Sequence, residues 1–297
     1  MKQIYTFLFL LLACVASYAQ EVDSLQLEMQ QIENSLQYQR GVISLNDGTA
    51  KLTVPQGFKF LDAEQAEYVL TELWGNPKTG TTLGMLVTEQ YGVLDSNSWV
   101  FNVEFDEIGY VKDNDANDID YADLLQTMQE ETLEENAERS AAGYEAIELI
   151  GWASKPYYDK EHKILHWAKE IKFGEADENT LNYNVRFLGR KGVLVLNAIA
   201  GMSSLAEVKQ NIAPVTNSVA FVDGHSYFDF NPDVDEVASW TIGGLVAGKV
   251  LAKAGFFALL LKFWKVIAVA VAAAGPAVLK LLKRRKEATP IDEVPVA

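Results

Sequence analysis

The sequence predicts an α+β domain, an antiparallel sheet with packed helices, followed by a C-terminal transmembrane helical region. Three observations carry this reading. Residues 147–200 hold four strand-like runs, one of which alternates strictly through Leu181, Tyr183, Val185 and Phe187, as in an antiparallel sheet with one buried face. Helical stretches are interspersed among groups of strands instead of following each strand in turn. From Trp240 to Leu282 there is no acidic residue and the chain is mostly apolar.

In chain order, residues 20–40 read as an amphipathic helix with Leu25, Met29, Ile32 and Leu36 on one stripe. Gly41–Leu45 and Thr49–Val54, joined by Asn46-Asp47-Gly48, read as a hairpin. Asp62 is placed to cap a helix carrying Ala66, Val69, Leu70 and Leu73, with Gln65 completing a capping box. Gly75-Asn-Pro77 ends that helix. Strands follow at Thr82–Val87 and Trp99–Glu104, then the longest helix, Ile119–Ala142, opened by Asp118 or Asp120. The four strands are Ile147–Trp152, Lys163–Phe173, Thr180–Leu188 and Gly192–Ala200, with a tight link at Gly189–Gly192. Ser204 opens a last helix that turns Leu205, Val208 and Ile212 inward, and a strand resumes near Phe221.

The two ends differ from this middle. Met1 and Lys2 precede an apolar core, and Ser17-Tyr18-Ala19 offers small residues for a signal peptidase, so residues 1–19 read as an export signal. Cleavage there removes Cys14, the single cysteine, leaving no disulfide and no thiolate nucleophile. Residues 240–286 read as a membrane anchor with a basic end, and 287–297 as a disordered tail. Val266–Leu279 would rise about 21 Å as a helix, so a span needs Leu281, Leu282 and snorkelling lysines to cross about 30 Å of hydrocarbon. The alternative span, 240–261, places Lys249 near the bilayer centre, at a cost of about 3 kcal/mol. A single span, a hairpin and a surface-lying segment all remain open. A single span agrees best with an exported domain and a cytoplasmic Lys280–Lys286 cluster.

Charge divides the same way. Residues 21–239 carry 15 basic and 38 acidic residues, and residues 240–286 carry nine basic and none acidic. An acidic domain of that kind argues against nucleic-acid binding and leaves membrane lipid to the C-terminal segment.

No arrangement of residues reaches an enzyme signature. His162 and His166 would suit zinc on a helix, but at the start of a strand residues four apart lie about 13 Å from one another. Asp113, Asp115 and Asn117 begin like a calcium loop, but Asp118 stands where glycine is needed and Leu124 where a bidentate glutamate belongs. They read instead as a polar loop capping the next helix. No metal and no cofactor are expected. Trp152, Tyr157, Tyr158 and Trp167 concentrate aromatic surface near a sheet edge and are the candidate ligand-binding residues, for peptide or glycan.

Several motifs resemble DUF2167, a family of membrane-anchored bacterial proteins. They include Pro55-Gln-Gly-Phe58, Leu73-Trp-Gly-Asn-Pro77, Gly151-Trp-Ala153, His162–Lys169, Leu181–Arg186 and Gly192–Asn197. The resemblance runs over roughly residues 40–286. It implies an exported domain, residues 41–236, with a C-terminal anchor, and it brings no catalytic residues. The expected protein is a noncatalytic interaction or scaffolding module at the bacterial inner membrane, its domain facing the periplasm. Its expected partners are an envelope protein or a second copy of itself. The alternative is a membrane-tethered hydrolase or a small-ligand or glycan-binding protein.

Overall fold

A computed structural model describes residues 26–76, 78, 80–95 and 97–248. The expected signal peptide, most of the expected anchor and the C-terminal tail lie outside the described residues.

Helix α1 covers residues 26–35. Strands β1 (Val42–Leu45) and β2 (Ala50–Thr53) form the expected hairpin, with Ile43 opposite Leu52. The turn between them holds Asn46, Asp47 and Gly48 all at positive φ, which Asn, Asp and Gly tolerate best. β10 (Val219–Phe221) adds to β2 and completes a three-stranded sheet.

The large sheet has seven strands, all paired antiparallel, in the order β3-β4-β5-β9-β8-β7-β6. They are β3 (Phe58–Asp62), β4 (Thr82–Thr88), β5 (Val100–Asp106), β6 (Ile147–Asp159), β7 (Ile164–Phe173), β8 (Thr180–Leu188) and β9 (Val193–Gly201). The α+β expectation holds, with helices packed on an antiparallel sheet. One strand escaped the sequence reading: Phe58–Asp62 pairs with β4, Phe60 opposite Leu86, and the Phe60 ring lies over Gly84. A β-carbon at Gly84 would fall 2.2 Å from the Phe60 ring.

Helix α2 (Ala63–Tyr68) starts where expected, with the Asp62 carboxylate accepting from the Gln65 amide at 3.1 Å. The capping box does not close. The Gln65 side chain instead accepts from the Gln37 amide at 2.6 Å and so ties the end of α1 to α2. Helix α3 (Tyr121–Ala141) is capped by Asp120, which accepts from the Ala122 and Asp123 amides. Helix α4 (Leu205–Thr216) follows a 3-10 turn, Met202–Ser204, and Ser204 makes no capping bond. Glu178, from the β7–β8 side of the sheet, accepts from the Ser203 amide at 2.7 Å in its place.

The expectation of one buried sheet face is corrected: both faces are covered. One face, called here the front, packs Phe58, Trp99, Phe101, Leu181, Val185 and Leu196 against Leu45 and Leu52 of the small sheet and Val208 and Val215 of α4. The back face carries two separate clusters. Leu61, Met85 and Val100 pack under α2, while Leu165, Trp167 and Val195 pack under Val111, Tyr227 and a short helix, α5 (Ile242–Ala247).

Hydropathy groups residues 240–248 with the anchor, but packing places them in the domain. Ile242, Gly243, Gly244, Leu245 and Val246 are all buried in the second back-face cluster or beside it. Asp115 accepts from the Ile242 and Gly243 amides, and Thr241 caps Gly244. No helix among the described residues is long and apolar enough to cross a membrane.

Candidate functional site

The turn between β6 and β7 is where local sequence sets up the chemistry. Asp159 ends β6, and its carboxylate accepts from the Glu161 and His162 amides, closing an Asx-type turn. The same carboxylate meets His162 Nδ1 at 2.8 Å. The two groups shift each other's titration. Hydrogen bonds from the His162 backbone and ring hold the Asp159 carboxyl below its usual range, and the bond to Asp159 pushes the His162 imidazolium up. Lys163 follows at φ +60, a conformation strained for a non-glycine residue.

That strained position aims Lys163 at Asp113. The Lys163 ammonium donates to Asp113 at 2.7 Å, the Tyr158 hydroxyl donates to it at 2.9 Å, and the Tyr227 hydroxyl at 3.1 Å. Two distant segments, the β6–β7 hairpin and the turn at Tyr227, therefore meet on one carboxylate. Burial disfavours its charge, but the bonds from Lys163, Tyr158 and Tyr227 outweigh that, so Asp113 is held below the ordinary aspartate value. The phenols respond in the opposite sense. Burial first, then the bond to Asp113 for Tyr158 and the bond with Tyr110 followed by the Asp113 charge for Tyr227, keeps both phenols protonated.

Beside this hub lies a cavity of about 470 Å³, open to solvent between the ends of β7 and β8, strand β10 and the Ser226–Phe228 turn. Ile164, Phe187, Phe221 and Phe228 give it apolar walls; Asp159, His162, His166 and Tyr227 give it polar ones. Its size falls within the range of small-molecule sites, roughly 300–1,000 Å³. His166 is the distinctive member. Burial pulls its pKa down, so the ring is neutral at pH 7, and its buried Nδ1 has no partner among the described residues. A neutral imidazole there can donate or accept one hydrogen bond from an occupant. His162 and Asp159 offer a base with an orienting carboxylate, but the hydroxyls in the same wall are engaged elsewhere: Ser226 donates to Asp229, Thr216 to the Ala213 carbonyl and Tyr227 to Asp113. Among the described residues, no group of three His, Cys, Asp or Glu side chains is placed to hold a metal ion.

The four aromatic residues singled out from sequence do not converge. Trp152, Tyr158 and Trp167 face the back of the sheet. Trp152 donates to the Tyr121 carbonyl at 3.1 Å, Tyr158 serves Asp113, and Trp167 is core, with the Arg186 guanidinium 5.6 Å from its ring. Tyr157 projects from the front, 63% exposed, stacked on His166 with ring centroids 6.3 Å apart. None of the four lines the cavity. What sequence reasoning missed is the pairing of Asp113 with Lys163, 50 residues later, and with Tyr227, 114 residues later. The one local signal was the Asp113/Asp115 loop itself, whose acids anchor two different elements.

Comparisons with known proteins add the following. The solution structure of cyanobacterial PsbP (CyanoP) from Synechocystis sp. PCC 6803 aligns with 63% of this chain and 92% of its own, at 11% identity and a TM-score of 0.35. The crystal structure of LpqN, involved in cell envelope biogenesis of Mycobacterium tuberculosis, aligns with 65% of this chain and 94% of its own, at 12% identity and a TM-score of 0.31. No curated protein matches the chain in sequence. The family model described as protein of unknown function (DUF2167) matches residues 37–275, and the chain belongs to that family.

Proposed function

We propose that this protein is a membrane-tethered, extracytoplasmic binding module that takes a small ligand in the cavity beside His166 and performs no chemistry of its own. The cavity carries the reading. It joins apolar walls from Ile164, Phe187, Phe221 and Phe228 to polar groups of Asp159, His162, His166 and Tyr227. Neutral His166 and a His162 that leans cationic but is paired with Asp159 suit an aromatic or aliphatic body with a single polar or acidic group. The export signal and the basic, apolar C-terminal segment support placement at the inner membrane with the domain in the periplasm. An envelope protein partner or a second copy fits the same tethered arrangement.

The test is ¹⁹F NMR of 4-(trifluoromethyl)benzoate with the full chain. The expected result is line broadening with the wild type, reduced at least fivefold in a Phe228→Ala, His166→Leu double variant. Equal broadening with both proteins would sink the assignment of the cavity.

A further inference from the structure

Lys169 is a half-buried amine that the binding proposal does not use. It sits in β7, opposite Trp152 of β6 and Asn182 of β8, on the back face of the sheet. Its side chain lines a second cavity of about 190 Å³, separate from the one beside His166. Ile147, Leu149 and Ile171 of the sheet and Met128 of α3 make the apolar wall, and Glu131 and Glu135, four apart on α3, bring two carboxylates to the same space.

We propose that Lys169 is a covalent attachment site for a small, neutral aldehyde or ketone, held as an imine. The Nζ lone pair attacks the carbonyl carbon, and the carbonyl oxygen takes up a proton as nitrogen releases one, giving a carbinolamine. The C–O bond then breaks with a second proton delivered to oxygen. One water leaves and a C=N bond remains, so nothing is oxidised or reduced. Glu131 and Glu135 line the same cavity, and water entering it carries these protons. The apolar wall favours an uncharged carbonyl compound, and the two carboxylates disfavour an anionic one.

Two features of the environment favour the free amine: partial burial against the apolar wall, and a second cation nearby. Burial first, and the charge of Arg186 on β8 second, pull the Lys169 ammonium down to about 8. Arg186 is itself held by Asp106 at 2.8 Å, and Glu104 adds its charge. At pH 7 such an amine is roughly 300-fold more deprotonated than an ordinary lysine.

The full chain is incubated with propanal and cyanoborohydride, which reduces each imine to a stable propyl-lysine, and adducts are mapped by mass spectrometry. Lys155 and Lys209, both exposed, serve as references. The expected result is labelling of Lys169 at least tenfold faster than either reference at pH 7, rising to half its maximum near pH 8. A Lys169→Arg chain should lose that adduct alone. Labelling of Lys169 at or below the reference rate in the wild type would overturn the proposal, and that measurement needs no variant to fold.

Discussion

The front of the large sheet buries one unbroken apolar cluster, whereas the back splits into two, with Asn102, Asn197 and Asn184 side by side between them on adjacent strands. The front is closed by shape: Phe58, Trp99 and Phe101 pack with ring centroids 5.6–6.2 Å apart, and α4 and the small sheet lie on them. The back is closed by direction. Asp113 ties the 107–120 loop to β6, the β6–β7 turn and the Ser226–Phe228 turn; Asp115 ties it to α5. Non-directional packing sets stability, while directional bonds fix where loops, and therefore cavities, sit.

That contrast can be broken at three levels. Trp99→Ala removes the largest buried front-face side chain and should cost about 3–5 kcal/mol, read as a lowered urea midpoint with unchanged slope. A loss below about 1 kcal/mol would mean that the front face is not the main source of stability. Asp113→Asn keeps the shape and removes the charge. With both partners partly exposed, it should cost about 1–2 kcal/mol. Its pH dependence sharpens the point. The folded carboxyl titrates below the unfolded value of about 3.9, so the wild-type advantage is complete above that value and vanishes as pH falls through the lower folded one. A difference that persists unchanged at acid pH would show that charge is not what Asp113 contributes. Asp115→Ala should be mildest, about 1 kcal/mol, with faster hydrogen exchange confined to the Ile242 and Gly243 amides and the rest of α5. Unchanged exchange there would remove Asp115 from the back-face anchoring.

The legible parts were those with a strong local signal. The alternation of β8, the Gly189–Gly192 link, the Asp62 and Asp120 caps and the Asn46–Gly48 turn are short-range devices, and each formed where expected. Strand β3 was hidden because five residues between a proline turn and a helix give little periodicity. The polar side of β8 read as solvent-facing because Asn182, Asn184 and Arg186 are polar, yet Asn184 is 6% exposed. The Asn184 side chain bonds Asn182 at 2.6 Å, and Arg186 meets Asp106. Hydropathy alone cannot distinguish a water-facing amide from one that is covered by packing and bonded within its own strand.

By itself, the sequence determined the fold class, most strand and helix positions, the acidic character of the domain and its family, since these rest on spacing, composition and motifs within short windows. Tertiary structure alone decided that β5 lies beside β9, that residues 240–248 pack in the domain and that His166, not the four aromatics, meets a cavity. The physical reason is the same in each case. Contacts between Asp113 and Tyr227, or Asp115 and Ile242, join groups more than 100 residues apart, and they depend on which faces of the sheet those segments cover.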